Sequence, residues 1–176
     1  IAGYEPDLVV LSNDSADGIV KQLEALEIET LLLPAAATID DTYSELEQLG
    51  AATGHVGDAA EVVANMQADI EEIVTSATPR PAPLTYYHEL DNTYYSVTSS
   101  TFIGQVYSLL GLENIADAAD DGSAGGYPQL TAEAIIAADP DLVFLADTKC
   151  CQQDAAAVAA RPGWDTLSAV KAGNVV

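Results

Sequence analysis

Basic residues are almost absent from this chain. Five Lys and Arg face 28 Asp and Glu in 176 residues, for a formal net charge of −23. A surface of that sign repels phosphate backbones and anionic membranes, so nucleic-acid binding is excluded and a strongly anionic small ligand would need local basic help. The acidity itself fits solubility or adaptation to salt, where self-repulsion is screened. Cysteine is equally scarce: Cys150 and Cys151 are the only two, and they are adjacent. One such pair cannot build a zinc site of ordinary spacing. It can close a strained vicinal disulfide or stay reduced, and both states are compatible with a place outside the cytosol. No apolar run reaches the ~20 residues that cross a bilayer, and no signal peptide is visible. The chain opens at Ile1 without Met, which reads as a trimmed or partial sequence. Two histidines far apart, with no Walker loop, GxGxxG, GxSxG or HExxH, leave no catalytic constellation, and the chain is read as a non-enzyme.

What is present is an alternation of strands and helices. Asp7–Leu11 (DLVVL) and Thr30–Leu33 (TLLL) are read as continuous apolar runs, as strands buried on both faces require. Between them, 17–26 places Ile19, Val20, Leu23 and Leu26 at helical spacing; 40–52 does the same with Tyr43, Leu46 and Leu49, ending at Gly50 and Gly54. A long helix is expected over 57–77, opened by Asp58 and Glu61 as a capping box, with Ala59, Val63, Met66, Ile70, Ile73 and Ala77 forming one apolar stripe before Pro79, Pro81 and Pro83.

The second half reads LTYYHEL (84–90) and YYSVT (94–98) as strands. Ser99 and Ser100 are expected to cap a helix carrying Phe102, Ile103, Val106, Leu109 and Leu110, closed by Gly111. An acidic, glycine-rich loop follows at 117–126, then a helix capped by Thr131 with Glu133 in its first turn. DLVFL (141–145) is another buried strand; 154–160 is helical, Pro162 and Gly163 break it, 166–171 turns again, and GNVV opens a strand.

PDLVVL at Pro6–Leu11 and PDLVFL at Pro140–Leu145 are near-copies on opposite sides of the long helix. Two α/β units joined by a helical rod are the simplest arrangement. In such units the loops at the carboxyl ends of the strands line the ligand crevice.

Taken together, PDLVVLSNDSADGIVKQLEALEIETLLLP, TYSELEQLGAATGHVGDAAEVVANM, TSSTFIGQVYSLLGLENIAD, YPQLTAEAIIAADPDLVFL and RPGWDTLSAVKAGNVV resemble class III periplasmic binding proteins, the vitamin B12 and ferric-siderophore receptors of ABC importers, over essentially the whole chain. The resemblance implies an α/β fold of two Rossmann-like lobes joined by one long α-helix: a first lobe over 1–56, a connecting helix over 57–79 and a second lobe over 80–176. It implies capture of a small-molecule metal chelate between the lobes, a ferric siderophore or a corrinoid, with small hinge motions, and delivery to an ABC transporter permease. It implies an extracytoplasmic location, in the periplasm or as a cell-surface lipoprotein, and no cofactor. Set against the family pattern, strands and a helix before Ile1 and a strand and helix after Val176 are missing. A chain without them would expose sheet edges or apolar surface, and a homodimer that covers these is expected.

The resemblance puts Tyr86, His88, Tyr95 and Tyr127 at the cleft edge of the second lobe. Tyrosine offers a flat apolar face and a polar tip to a bulky macrocycle or chelate. Strand alternation sends neighbours to opposite faces, so at most one of each adjacent tyrosine pair is expected at the cleft and the other in the core. His88 shares the face of Tyr86, although a lone histidine is more often structural. Lys149, Cys150 and Cys151 follow DLVFL at the crevice-lining end, as a rigid cleft-facing turn or a solvent loop, and Ser12 and Asn13 hold the equivalent place after DLVVL. Glu133 matches the family's surface glutamate that pairs with permease arginines; it equally suits a helix N-terminus. Trp164 is expected to pack. Because Arg80 and Arg161 are the only arginines, a neutral ligand, a corrinoid or a hydroxamate chelate, is favoured over a carboxylate or catecholate one. The competing readings are a metal chelatase or nitrogenase-like cofactor enzyme on a similar scaffold, which would need converging His or Cys ligands, and a non-binding interaction module.

Overall fold

The computed structural model describes residues 1–14 and 18–176. They divide into two compact units, Ile1–Ile73 and Val74–Val176. The start expected at Asp17 for the first helix lies outside the described residues.

In the first unit, β1 (Leu8–Leu11) pairs in parallel with β2 (Glu29–Leu32), Leu8 opposite Glu29 and Leu11 opposite Leu32. The connecting helix α1 (Ile19–Glu24) buries Leu23. Burial of both strands on both faces is not what forms: Val10 is 48% and Leu32 45% exposed, and the register, Val10 beside Leu31 and Leu11 beside Leu32, puts them on opposite faces of the two-stranded sheet. Helix α2 (Ile39–Thr53) starts on a capping box in which Thr38 and Asp41 bond each other's backbone N–H. It ends at Gly54, whose φ of 77° is left-handed, and the His55 N–H returns to the Gly50 carbonyl at 2.7 Å. A Cβ on Gly50 would stand 2.3 Å from the Ala59 Cβ, so glycine is what lets the next helix turn back this closely.

That helix, α3 (Val56–Ser76), runs unbroken across the boundary between the units. It begins at Val56, one residue before the expected start. Asp58 does not form a capping box with Glu61; its carboxylate pairs with His55 Nδ1 at 2.9 Å.

The second unit is built on a parallel sheet in the order β4 (Glu113–Asn114), β3 (Thr85–Glu89), β5 (Leu142–Leu145). Tyr86 lies opposite Leu142 and Glu89 opposite Leu145. The final residues extend the sheet: Val143 N–H donates to the Asn174 carbonyl, and Val176 N–H to that of Val143. The two PDLV segments therefore open strands of different sheets. In the second copy, Asp141 accepts from both the N–H and the hydroxyl of Thr85, at 2.9 and 3.1 Å, and so fixes the register of β5 on β3.

Both faces of β3 are covered. On one side Tyr87 and Val143 join Ala116, Leu130, Ile135, Val158, Trp164 and Leu167 in the main core. These come largely from α5 (Ala132–Ala138), α7 (Ala155–Ala159) and the turn leading into α8 (Ser168–Ala172). On the other side Tyr86, His88 and Phe144 meet Tyr107 of α4 (Phe102–Ser108), with Tyr107 stacked on Phe144 at 4.7 Å. Each large side chain so enclosed contributes roughly 1.5–3 kcal/mol.

Two local expectations are corrected. Helix α4 is capped by Thr101, whose hydroxyl accepts from Gly104 N–H at 3.1 Å; Ser99 N–H instead donates to Asp117, and the Ser100 hydroxyl lies 2.8 Å from that of Thr98. Residues 94–98 are not a strand of the sheet. Tyr94 takes a left-handed φ of 72°, which turns the chain away after β3. The segment then runs antiparallel to 126–130, with Ser96 N–H on the Pro128 carbonyl and Thr98 N–H on that of Gly126.

Candidate functional site

The carboxyl ends of β3 and β5 release two loops on the same edge of the sheet, 90–95 and 146–153. Where they meet lies a buried charge cluster. Glu89, the last residue of β3, is fully buried, and its carboxylate takes two parallel bonds from the Arg161 guanidinium, both 2.6 Å. Arg161 also donates to the Gln153 side chain at 2.8 Å. Its planar cation lies 4.5 Å from the centre of the Trp164 ring and 5.7 Å from that of Tyr94, which stacks on Trp164. One arginine thus ties β3, the 90–95 loop, the 146–153 loop and the Trp164 turn together. Burial pushes the Glu89 carboxyl up, Arg161 pulls it back, and the nearby Asp147 charge adds to the rise. Asp147, just past β5, is itself fully buried, and neither of its carboxylate oxygens has a hydrogen-bond partner.

Tyr95 is 41% and Tyr127 44% exposed, on the paired segments 94–98 and 126–130. Gly126, at φ 88°, lets that ribbon close on the cap of α4: a Cβ there would stand 2.7 Å from the Thr101 methyl. Lys149, Cys150 and Cys151 are exposed on α6 (Thr148–Cys151), a single turn ended by Gln152 with a φ of 56°. Both thiols are free. Hydrogen bonding to Cys150, with burial and the Cys150, Asp147 and Asp91 charges, holds the Cys151 thiol up at about 11.

The other expected site residues fall elsewhere. Tyr86 and His88 are buried. The Tyr86 hydroxyl accepts from Asn114 at 2.8 Å, and His88 Nδ1 lies 2.9 Å from the Tyr107 hydroxyl. Tyr86, the candidate of the pair Tyr86 and Tyr87, is not at an open cleft, because both sides of β3 are covered and both rings are buried. Burial lowers His88, which holds it neutral, and raises the Tyr86 and Tyr87 hydroxyls. Ser12 and Asn13 are exposed after β1, in the first unit. Glu133 is exposed in the first turn of α5, where Thr131 caps Ala134 N–H at 3.1 Å. It borders an open hollow of about 570 Å³ lined also by Thr93, Tyr94 and Gln129. Glu89, Asp147 and the pairing role of Arg161 were missed from the sequence; an acid ending a buried strand, in a chain with two arginines, was the available signal. Among the described residues no group of three or more His, Cys, Asp and Glu could hold a metal ion, and no helix is long and apolar enough to cross a membrane.

A cobalamin-binding protein of Halobacterium salinarum is 33% identical over 145 residues, covering 81% of this chain and 38% of that protein. The ABC transporter substrate-binding lipoprotein YvrC of Bacillus subtilis is 29% identical over 179 residues, covering 97% of this chain and 54% of its own length. The chain thus spans about two fifths to one half of these relatives. The solved structure of the periplasmic heme-binding protein HutB of Vibrio cholerae superposes with a TM-score of 0.82 at 20% identity, over 99% of this chain and 68% of that one. The Periplasmic binding protein family matches residues 1–176 from end to end, and this chain, with its parallel α/β sheets and long helix of the class III type, belongs to that family.

Proposed function

We propose that the chain is the ligand-binding part of an extracytoplasmic solute-binding component of an ABC importer, and that it takes a corrinoid, with a ferric hydroxamate as the nearest alternative, at the rim formed by Tyr95, Tyr127 and Lys149. The observation that carries the choice of ligand is the fate of the two arginines. Arg161 is committed to Glu89 inside the second unit. Arg80 lines a different hollow, with Pro79, Pro83, Leu84 and Leu110, beside the amino end of β3. Neither stands free at the carboxyl-end rim to neutralise a carboxylate or catecholate chelate. A bulky ligand without net negative charge suits the rim, where tyrosine rings offer stacking area. The name of the Halobacterium relative supports the corrinoid. Binding, not catalysis, is the activity proposed.

Delivery is proposed to run through Glu133, whose exposed carboxylate at the start of α5 can pair with a permease arginine. Isothermal titration of the chain with cyanocobalamin and with ferric hydroxamates tests the ligand. Binding of cobalamin, weakened about tenfold by Tyr95→Ala or Tyr127→Ala, about 1.4 kcal/mol, is the expected result. No heat with any chelate would refute the reading. Glu133→Arg should leave cobalamin binding intact while abolishing stimulation of the permease ATPase.

A further inference from the structure

Adjacent cysteines cannot form an ordinary structural disulfide. Their Cα atoms are held about 3.8 Å apart by the intervening peptide, below the roughly 4.4–6.8 Å of unstrained bridges. A ring closed between them stores strain and is easily reduced, which is the behaviour of a labile, regulatory bond. Here the two thiols are exposed and free. They sit on a helix of a single turn, held by Cys151 N–H on the Asp147 carbonyl at 3.0 Å, with Cys150 Sγ 3.6 Å from the same oxygen. A helical turn points neighbouring side chains about 100° apart, so a bond between them cannot be made with α6 intact. Beneath the turn lies the unpartnered Asp147 carboxylate, whose position depends on that same backbone.

We propose that Cys150–Cys151 is a reversible vicinal-disulfide site whose closure unwinds α6 and resets the Lys149 side of the ligand rim. The oxidant is a disulfide, RSSR. The Cys150 thiolate attacks one sulfur and expels RS⁻, which takes up the proton Cys150 has lost. Cys151 then gives up its own proton, attacks the mixed disulfide at the Cys150 sulfur and releases the second RSH. The sum is one RSSR reduced to two RSH and two protein thiols oxidised to one ring. The high pKa of Cys151 makes the second step the slower one, and it accelerates as pH rises.

The gating part of this inference rests on the proposed function; the chemistry does not. The test uses one equivalent of dithiodipyridine. Ring closure releases two thiopyridones per chain, leaves no adduct, and lowers the intact mass by two hydrogen atoms. Cys150→Ser and Cys151→Ser should each release one thiopyridone and keep one adduct. A stable mixed disulfide on the unsubstituted chain, or a disulfide-linked dimer, overturns the site. Cobalamin titration of the open and closed forms then reads the gate, with an affinity change of about fivefold or more expected. A closed ring with unchanged cobalamin affinity overturns the gate. Absence of cobalamin binding in either form sinks the proposed function and leaves the ring chemistry standing.

Discussion

Replacing Arg161 with Met is the sharpest test of the charge cluster at the strand ends. Methionine keeps much of the volume of the arginine stem but removes the guanidinium. Glu89 is then fully buried with neither of its two 2.6 Å bonds, and Asp147 adds a second acid nearby. Removing one member of a buried pair typically costs ~3–5 kcal/mol, because the survivor is left charged and unsolvated. Glu89 has an escape, which is to take up a proton. Its folded pKa already lies above 4.5 because burial outweighs Arg161, and without Arg161 it rises further. A carboxyl whose folded pKa exceeds its unfolded value contributes stability below the unfolded value and loses it as pH climbs through the folded one. The loss in Arg161→Met should therefore be small near about pH 5 and grow by up to ~1.4 kcal/mol per pH unit until Glu89 ionises.

Urea unfolding followed by the single tryptophan reads this directly, since Trp164 is buried in contact with both Tyr94 and Arg161. The double variant Glu89→Leu/Arg161→Met should recover most of the loss and abolish its pH dependence, since neither partner is then left charged. A single variant that loses less than about 1 kcal/mol near pH 8, or whose loss is the same near pH 5 and pH 8, would refute the argument.

Gly104→Ala should cost ~1–3 kcal/mol in the same unfolding assay, since the added Cβ would stand 2.0 Å from the Thr98 carbonyl oxygen where α4 meets the loop; a neutral result would mean the loop yields freely. His88 is lowered from 6.5 by burial, so its contribution is present above that value and lost as pH falls; His88→Gln should flatten the acid side of the stability profile, and an imidazole that titrates normally by NMR would contradict this. With a net charge of −23, the urea midpoint should rise between about 0.1 and 1 M salt as the Debye length shrinks from ~10 to ~3 Å; a midpoint indifferent to salt would remove self-repulsion as a term.

What the sequence made legible follows from the range of each interaction. Strands β1 and β5 and the helix α3 are written in contiguous residues, where apolar runs and a stripe of alternating fours and threes admit few other structures. YYSVT carries strand composition in the same way, yet the left-handed turn at Tyr94 takes it out of the sheet. Strand propensity measures fit to a pleated surface, and no residue type marks a tyrosine for positive φ. The tyrosine pair failed for a related reason: alternation sends Tyr86 and Tyr87 to opposite faces as expected, and it could not say that both faces are roofed.

The site asked for more than local pattern. Glu89 and Arg161 stand 72 residues apart in sequence and meet only because Asp141 locks β5 onto β3, which brings the strand ends level and carries the chain through 146–163 back over Glu89. No spacing rule links those positions. The scarcity of arginine does: in a chain with 28 acids and two arginines, a fully buried acid at a strand end competes strongly for one of them. Once Arg161 is committed inside, the rim is left with lysine, tyrosine and thiols. The proposed preference for a ligand without negative charge thus rests on how the core balances its own charge.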